Sequence, residues 1–535
     1  MYIGILAPRL YAIAFPPVRP EVDSAHQPDG AGAPRRRGNT GTDMPADEHV
    51  DKLTSDQTRP LPPRYWWLKR LLVAVMLLLV AALVLRGLVG VVAQRRLDAH
   101  VAKLRAAGEP MLRQDFEFPS VADEDNAAIR LKEAAELLVE PGKNDVALAG
   151  FLQDPTLIDS NEEAVRAILH ANEEPLRLLG EARFKAGVDW GNRFSSPMLT
   201  IDTIRPMDHA RLEGLAQLGC LAALHAWRRD EHAKAFERLL DVLDLANRLN
   251  EGHPLVLTSL VGTVACRDAS DVLECIASVP IRSPAQGRQA IAVLLDEGTL
   301  AAGFTEAYRV ERAGLLDAVP GMRGADILFK DDSWSTRTRL EWWLLEPVLK
   351  LDGVRIVDHY TAYVDASRAQ GVPSAQEALS CVGLSFRTIL EKRTRFLSAL
   401  LLTLPNSTIP WVIVERARRR LTASKLALRL YQDDHGHLPA TLDELLPDYL
   451  PFVPVDPTSA EGESILYVSD GPDPHVGFRR HPDGGPLHVS LVGRLCVEGA
   501  TPASQPASEQ SDDQRDPVKD QPRQAADNHD PDDQP

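Results

Sequence analysis

Cysteine, lysine and aromatic residues are all scarce in this 535-residue chain, and each shortage narrows the field. The five cysteines (Cys220, Cys266, Cys275, Cys381 and Cys496) lie far apart, with no CxxC spacing and an odd total. That pattern supports neither a zinc site nor a disulfide framework, and leaves buried thiols as the expectation. The spaced motifs GxSxG, the Walker loop, GxGxxG after a strand and HExxH are missing, so no nucleophile, phosphate cradle or helical zinc pair can be assigned from spacing. Positive charge is short as well. The net charge is −17, and beyond residue 93 there are 48 basic against 68 acidic groups. So acidic a body repels a phosphate backbone, which disfavours nucleic acid as a partner.

What the chain does have is one long apolar run. Residues 64–96 read RYWWLKRLLVAVMLLLVAALVLRGLVGVVAQRR, with Arg86 the only charge between Leu71 and Ala93. As a helix the 23 residues from 71 to 93 rise about 35 Å, enough for a hydrocarbon core of about 30 Å. Tyr65, Trp66 and Trp67 suit the headgroup level, and Arg86 is near enough to one end to be expected to snorkel. The run is too long for a signal-peptide core, and no small-residue cleavage site follows it. The lipid bilayer, entered through Leu71–Ala93, is therefore the one partner the residues name. Basic residues balance across the span: Lys52, Arg59, Arg64, Lys69 and Arg70 before it, Arg95, Arg96, Lys103, Arg105 and Arg113 after it. Arg35, Arg36 and Arg37 add charge ahead of it, so a signal anchor with its N-terminus in the cytoplasm is expected.

Residues 1–63, rich in Pro, Gly and charge, and 496–535, acidic and poor in large apolar residues, read as disordered. Between them the pattern is helical from Leu97 to about Tyr431. Asn126 is placed to cap a helix over 126–138. Ser160 and Glu163 are spaced as a capping box for 160–184, with Pro175 implying a kink or break. Residues 209–250 predict a hairpin. Leu212, Leu215, Leu218 and Ala222 form one stripe, Arg228–Glu231 is polar, and Phe236, Leu239, Leu240, Leu243 and Ala246 form a second stripe. Its cadence is similar to a tetratricopeptide hairpin, without a second copy at a period near 34. Further helices are expected over 255–277, 286–318, 336–350 and 376–404. Phe396–Leu404 is too short to span a bilayer and reads as core. Glu306, Glu311 and Arg312 read as an exposed charge run, and His209, His225 and His232 have no partner at ligand spacing.

Residues 426–457, LALRLYQDDHGHLPATLDELLPDYLPFVPVDP, hold the best metal-ligand candidates, His435 and His437 with Asp433 and Asp434. An i,i+2 pair cannot share a helix face, and no third ligand follows from spacing. Turn chemistry explains more. A helix from about Ile409 carries Val414, Ala417, Leu421, Ser424, Leu428 and Tyr431 on one face and ends near Asp434. Gly436 supplies a left-handed cap, His435 faces the negative end of the dipole, and Thr441 and Glu444 box the next helix.

This segment resembles one found in single-pass membrane proteins of planctomycete-type bacteria, a likeness the Asn126 start and Glu311-Arg-Ala313 extend over most of 97–495. More remotely, 410–495 is similar to the C-terminal domain of type II secretion pseudopilins of the G type. That resemblance implies strands at Ile465–Tyr467 and Leu487–Leu491. It also implies a late loop, Ser469–Asp473, in which Asp470 and Asp473 are weak calcium candidates. The chain departs from pseudopilins in lacking a prepilin-peptidase site and the acidic residue just inside the apolar helix.

The expectation is a mainly α protein with a single transmembrane helix (64–96), a helical-hairpin, TPR-like body (97–408) and a small α+β module (409–495). Its expected role is a protein-interaction surface for envelope partners, anchored in the inner (cytoplasmic) membrane with the body periplasmic. No catalytic or cofactor-binding residue is assigned, and no cofactor is expected. Two alternatives stand: a secretion- or pilus-associated assembly factor, and a metal-dependent hydrolase using His435 and His437.

Overall fold

The structure, a computed structural model, describes residues 65–117, 120–139, 148–194, 208–252, 254–321, 336–369, 371–380, 403–457, 459, 462–469, 475–478 and 488–490. It divides into two compact units, Met1–Leu72 and Val73–Pro535. In the first, the described residues open a helix in which the Arg70 guanidinium lies 3.7 Å from the Trp66 ring centre.

The chain is mainly helical, with one small sheet. The long apolar helix α1 covers Trp66–Ala106. Among the described residues it alone is long and apolar enough to cross a membrane, and none of its most apolar window is buried. After it come α2 (Ala127–Leu137), α3 (Leu148–Gln153), α4 (Leu157–Ser160), α5 (Glu162–Ala171) and α6 (Glu173–Ala182). The Asn126 side chain caps α2 by accepting from Ala128 N–H at 3.0 Å. Pro175 breaks the 160–184 pattern as expected, in the first turn of α6, where a missing N–H costs nothing. The expected Ser160 box does not form. Ser160 ends α4, its hydroxyl donating to Leu157 O, and α5 starts from Asn161.

The hairpin forms as predicted, from α7 (His209–Arg228) and α8 (His232–Arg248), joined through Asp230 at φ +60°. Both stripes are buried. The helices close so tightly at Gly219 that a Cβ there would stand 2.5 Å from Val242 Cγ2. Then follow α9 (Val256–Ile276), α10 (Pro284–Leu295), α11 (Glu297–Gly321), α12 (Thr336–Arg368), α13 (Val372–Ser380) and α14 (Thr403–His435). The 286–318 pattern is thus two helices, and 336–350 extends to a 33-residue helix. Residues 381–402, most of the Phe396–Leu404 run included, lie outside the described residues.

Helix α14 packs on α9 and α10 inside the main core, and Ala423, Leu426 and Ala427 belong to the same buried cluster as Leu273, Ala269 and Ile291. Residue 409 is therefore no boundary of the core, because the helix of the expected C-terminal module is a central element of the body. The sheet beyond it is antiparallel in the order β1 (Leu466–Val468), β2 (His475–Gly477), β3 (His488–Ser490). Two of its strands were expected. The central one, β2, has no counterpart in the resemblance that implied the other two.

Arginine does here what a large apolar core cannot, satisfying carbonyls at helix ends. The last carbonyls of a helix have no intrahelical donor, and a guanidinium fits both their geometry and the negative end of the dipole. Arg211 donates to Ala135 O and Glu136 O at the end of α2, at 3.1 and 2.7 Å. Arg416 donates to Ser367 O (2.9 Å) and Ala369 O (2.6 Å) at the end of α12. Arg419, 1% exposed, donates to Val293 O and Asp296 O at the end of α10. The arginine excess is thereby partly an interior feature, which the acidic surface hides. Of the cysteines, Cys220 and Cys266 are buried free thiols as expected. Cys275 departs from that expectation and is disulfide-bonded.

Candidate functional site

Helix α1 does not leave the body as a free stalk. Its second half lies along α12, and partner numbers rise together: Arg86 with Trp343 and Glu346, Gly90 with Pro347, His100 with Asp358, Glu109 with Arg368. The two helices are therefore parallel over this stretch. Leu97, Met111, Leu316 and Val357 form a small core between α1, α11 and α12, flanked by Val101, Leu104 and Val354.

The joint is closed by Glu109. Helix α1 ends in a turn through Gly108, at φ +84°, a conformation that favours glycine. That turn delivers Glu109 to three guanidinium groups. Arg309 reaches both its oxygens at 3.2 Å, Arg312 donates to Oε2 at 2.8 Å, and Arg368 to Oε1 at 3.0 Å. Arg312 is 0% exposed and also donates to Thr361 Oγ1 at 3.0 Å. Glu306 and Asp365 stand behind Arg309 and Arg368, at 3.4 and 3.7 Å, so the cluster is close to neutral. Burial alone would raise the Glu109 carboxyl. The hydrogen bonds from Arg309, Arg312 and Arg368 outweigh it and hold the pKa at about 2. Burial lowers the pKa of Arg312, an effect Glu109 opposes and the other two guanidiniums reinforce. Chemically this is a clamp, because a carboxylate so held is a poor base and has every oxygen engaged.

At the other end, Arg86, expected to snorkel, has its guanidinium engaged by α12. Pro347 has no N–H, so the Trp343 carbonyl four residues earlier loses its helical donor. The Arg86 guanidinium supplies the missing bond through Nε at 3.1 Å and through a second nitrogen. It also pairs with Glu346 at 3.0 Å and lies 3.7 Å from the centre of the Trp343 ring.

The expected exposed charge run at Glu306, Glu311 and Arg312 is a correction. Arg312 is interior, and Glu311 points into a tyrosine cluster. Glu311 accepts from Val256 N–H at the start of α9 (3.0 Å) and from Tyr360 OH (3.1 Å). Burial pushes its carboxyl up to about 7, while those two bonds pull it down. The sequence signal was present: Arg309, Arg312 and Leu316 lie on one face, so a basic pair continues a stripe that ends in core.

The turn after α14 follows the bland reading of its histidines. Gly436 has φ +78° and its N–H donates to Gln432 O at 2.8 Å. Glu444 accepts from the N–H groups of Ala440 and Thr441, completing the box expected there, ahead of a short 3₁₀ turn. The His435 ring stacks on Tyr431 with centres 4.1 Å apart, and His437 sits edge-on to the same ring. Asp434 accepts from Tyr449 OH at 2.7 Å, and Asp433 accepts from Ile281 N–H at 2.7 Å. Among the described residues no group of three or more His, Cys, Asp or Glu is placed to hold a metal ion. Asp470 and Asp473 lie outside the described residues. His209 is held in the body by Thr258 Oγ1 at 3.0 Å, with burial lowering its pKa to about 4.

The class the architecture defines is a mainly helical protein with one candidate membrane-spanning helix and a small sheet. Comparison with known proteins adds nothing to that class: no family model, no curated protein and no solved structure matches this chain.

Proposed function

We propose that this protein is a single-pass, membrane-anchored scaffold, whose helical body presents an interaction surface to protein partners at the cell envelope. One observation carries the reading: the apolar residues from Val73 to Leu85 stay largely exposed, while the same helix from Ala93 onward is built into the body. Leaving so many leucines and valines in water costs far more than a folded protein can spare, and a bilayer removes that cost. The Cys275 disulfide favours an oxidising compartment, and so a body outside the inner membrane. The joint at Glu109 suits a scaffold because it fixes the body to its anchor.

Alkaline carbonate washing should leave the chain with the membranes, and protease added to spheroplasts should digest the body. Extraction by carbonate would refute the anchor, and protection from protease would refute the orientation. A photocrosslinker on the exposed face of α5 should give one defined adduct with an envelope protein. A failure to form any specific adduct from that and neighbouring faces would remove the scaffold role.

A further inference from the structure

We propose that Glu311 makes the grip between the body and α1 sensitive to pH: the joint is tight while Glu311 carries its proton and loosens once it is ionised. The inference goes beyond the scaffold reading and stands on the packing of α1, α11 and α12, whatever surrounds α1. Among the described residues no guanidinium or ammonium pairs with Glu311. Its donors are two neutral groups, the Val256 N–H at the start of α9 and the Tyr360 hydroxyl.

Nor do the elements packed around it offer a charge to offset its own. Tyr308 stands one turn earlier on α11, and Tyr360 and Tyr363 of α12 lie with ring centres 5.6 Å apart. Burial raises the pKa of all three hydroxyls and keeps them neutral. From α14, Thr408 bonds to Tyr308. Past the first turn of α9, His209 of α7 is kept neutral by burial beside Thr258. In the turn after α1, Arg113 is taken by Phe194 O, and Asp115 by the N–H groups of Met111 and Leu112. Arg312, next on α11, is committed to Glu109 and Thr361. A neutral carboxyl suits this cage. An ionised one is eased only by its two neutral donors and the dipole of α9, and burial accordingly lifts its pKa to about 7. Water would relieve that charge, and water enters when α9, α11 and α12 part.

Two contacts carry such a parting to the joint. Leu255, the residue before Val256, shares a buried cluster with Val310 and Ala313 of α11 and with Phe116, in the turn that follows Glu109. Glu311–Tyr360 and Arg312–Thr361 are successive rungs between α11 and α12, and the second rung is the guanidinium that holds Glu109. Opening the first therefore slackens the clamp.

Hydrogen exchange on the full chain in detergent micelles, corrected for the intrinsic effect of pH, tests this. Between pH 5.5 and 8.5 the amides of 255–260, 111–116 and 356–364 should lose roughly thirtyfold in protection. That is the ratio for a carboxyl that ionises near 7 when closed and near 4.5 when open. The α7–α8 hairpin should not respond, and Glu311→Gln should make protection at the joint independent of pH. Should that variant fail to fold, Tyr360→Phe removes a donor to the ionised form and should raise the pH at which protection levels off. Flat protection in the parent overturns the inference, as does a response confined to 255–260. A Glu311→Gln chain that loosens as the parent does also overturns it, and passes the response to another group such as His100, paired with Asp358.

Discussion

Replacing Glu109 by glutamine should unfasten the body from its anchor while leaving the rest folded. The carboxyl is held at about 2 against an ordinary 4.5, and at 1.36 kcal/mol per pKa unit that is about 3 kcal/mol of native-state preference for the ionised form. Removing one partner of a buried ion pair independently suggests a loss of about 3–5 kcal/mol, and Arg312, with 0% exposure, is the group left uncompensated. So large a chain need not unfold in one step, and the measurement should be local. Hydrogen exchange of amides at 100–116 and 354–368 should accelerate roughly a hundredfold, with the α7–α8 hairpin unchanged. The depressed pKa also sets a pH window. The stabilisation is fully present above about 4.5 and is lost as pH falls through about 2, so the intact joint should loosen over that interval and the Gln variant should not respond. Exchange at the joint within threefold of the parent would refute the clamp.

Glu311 should show the opposite slope. Its pKa is raised to about 7, so the stability it contributes is present below 4.5 and is lost as pH rises through 7. The stability of the parent to denaturant should fall by up to about 3 kcal/mol as pH rises across that window, and Glu311→Gln should flatten it. At the hairpin, Gly219→Ala places a methyl 2.5 Å from Val242 Cγ2 and should cost about 1–3 kcal/mol. Val242→Ala should recover much of that, and a strictly additive double mutant would refute the close contact. His437→Ala should change stability by less than about 0.5 kcal/mol and leave the metal content of the purified protein unaltered. A stoichiometric metal lost with His437 would reinstate a ligand role.

Much of this architecture is legible in the residues, because it depends on local rules. The capping bonds of Asn126, Gly436 and Glu444 run to neighbours within a few positions, and the stripes of α7 and α8 recur at helical spacing. The long-range contacts were the hidden part. Arg86, Glu109, Glu311 and Arg312 have partners some 50 to 260 residues away, and a charged residue without a near neighbour reads as solvated. Even so, two hints were local: Pro347 necessarily frees the Trp343 carbonyl, and Arg309 and Arg312 continue a stripe that ends at Leu316. The placement of α14 was hidden for another reason. Its arginines make it look like a surface helix, and only the carbonyls they cap, on α10 and α12, reveal it as interior.

The parallel register of α1 and α12 makes helical phase a property of the whole protein. One residue added within α1 near Val80 turns everything after it by about 100° about the helix axis. With α1 and α12 locked from Arg86 to Glu109, the body must turn with it as a single piece. The face shown to a neighbour is then indexed by the number of residues in the apolar stretch. Inserting one, two, three and four alanines at that point should make a partner's crosslinking fall and then return near the fourth, without unfolding the body.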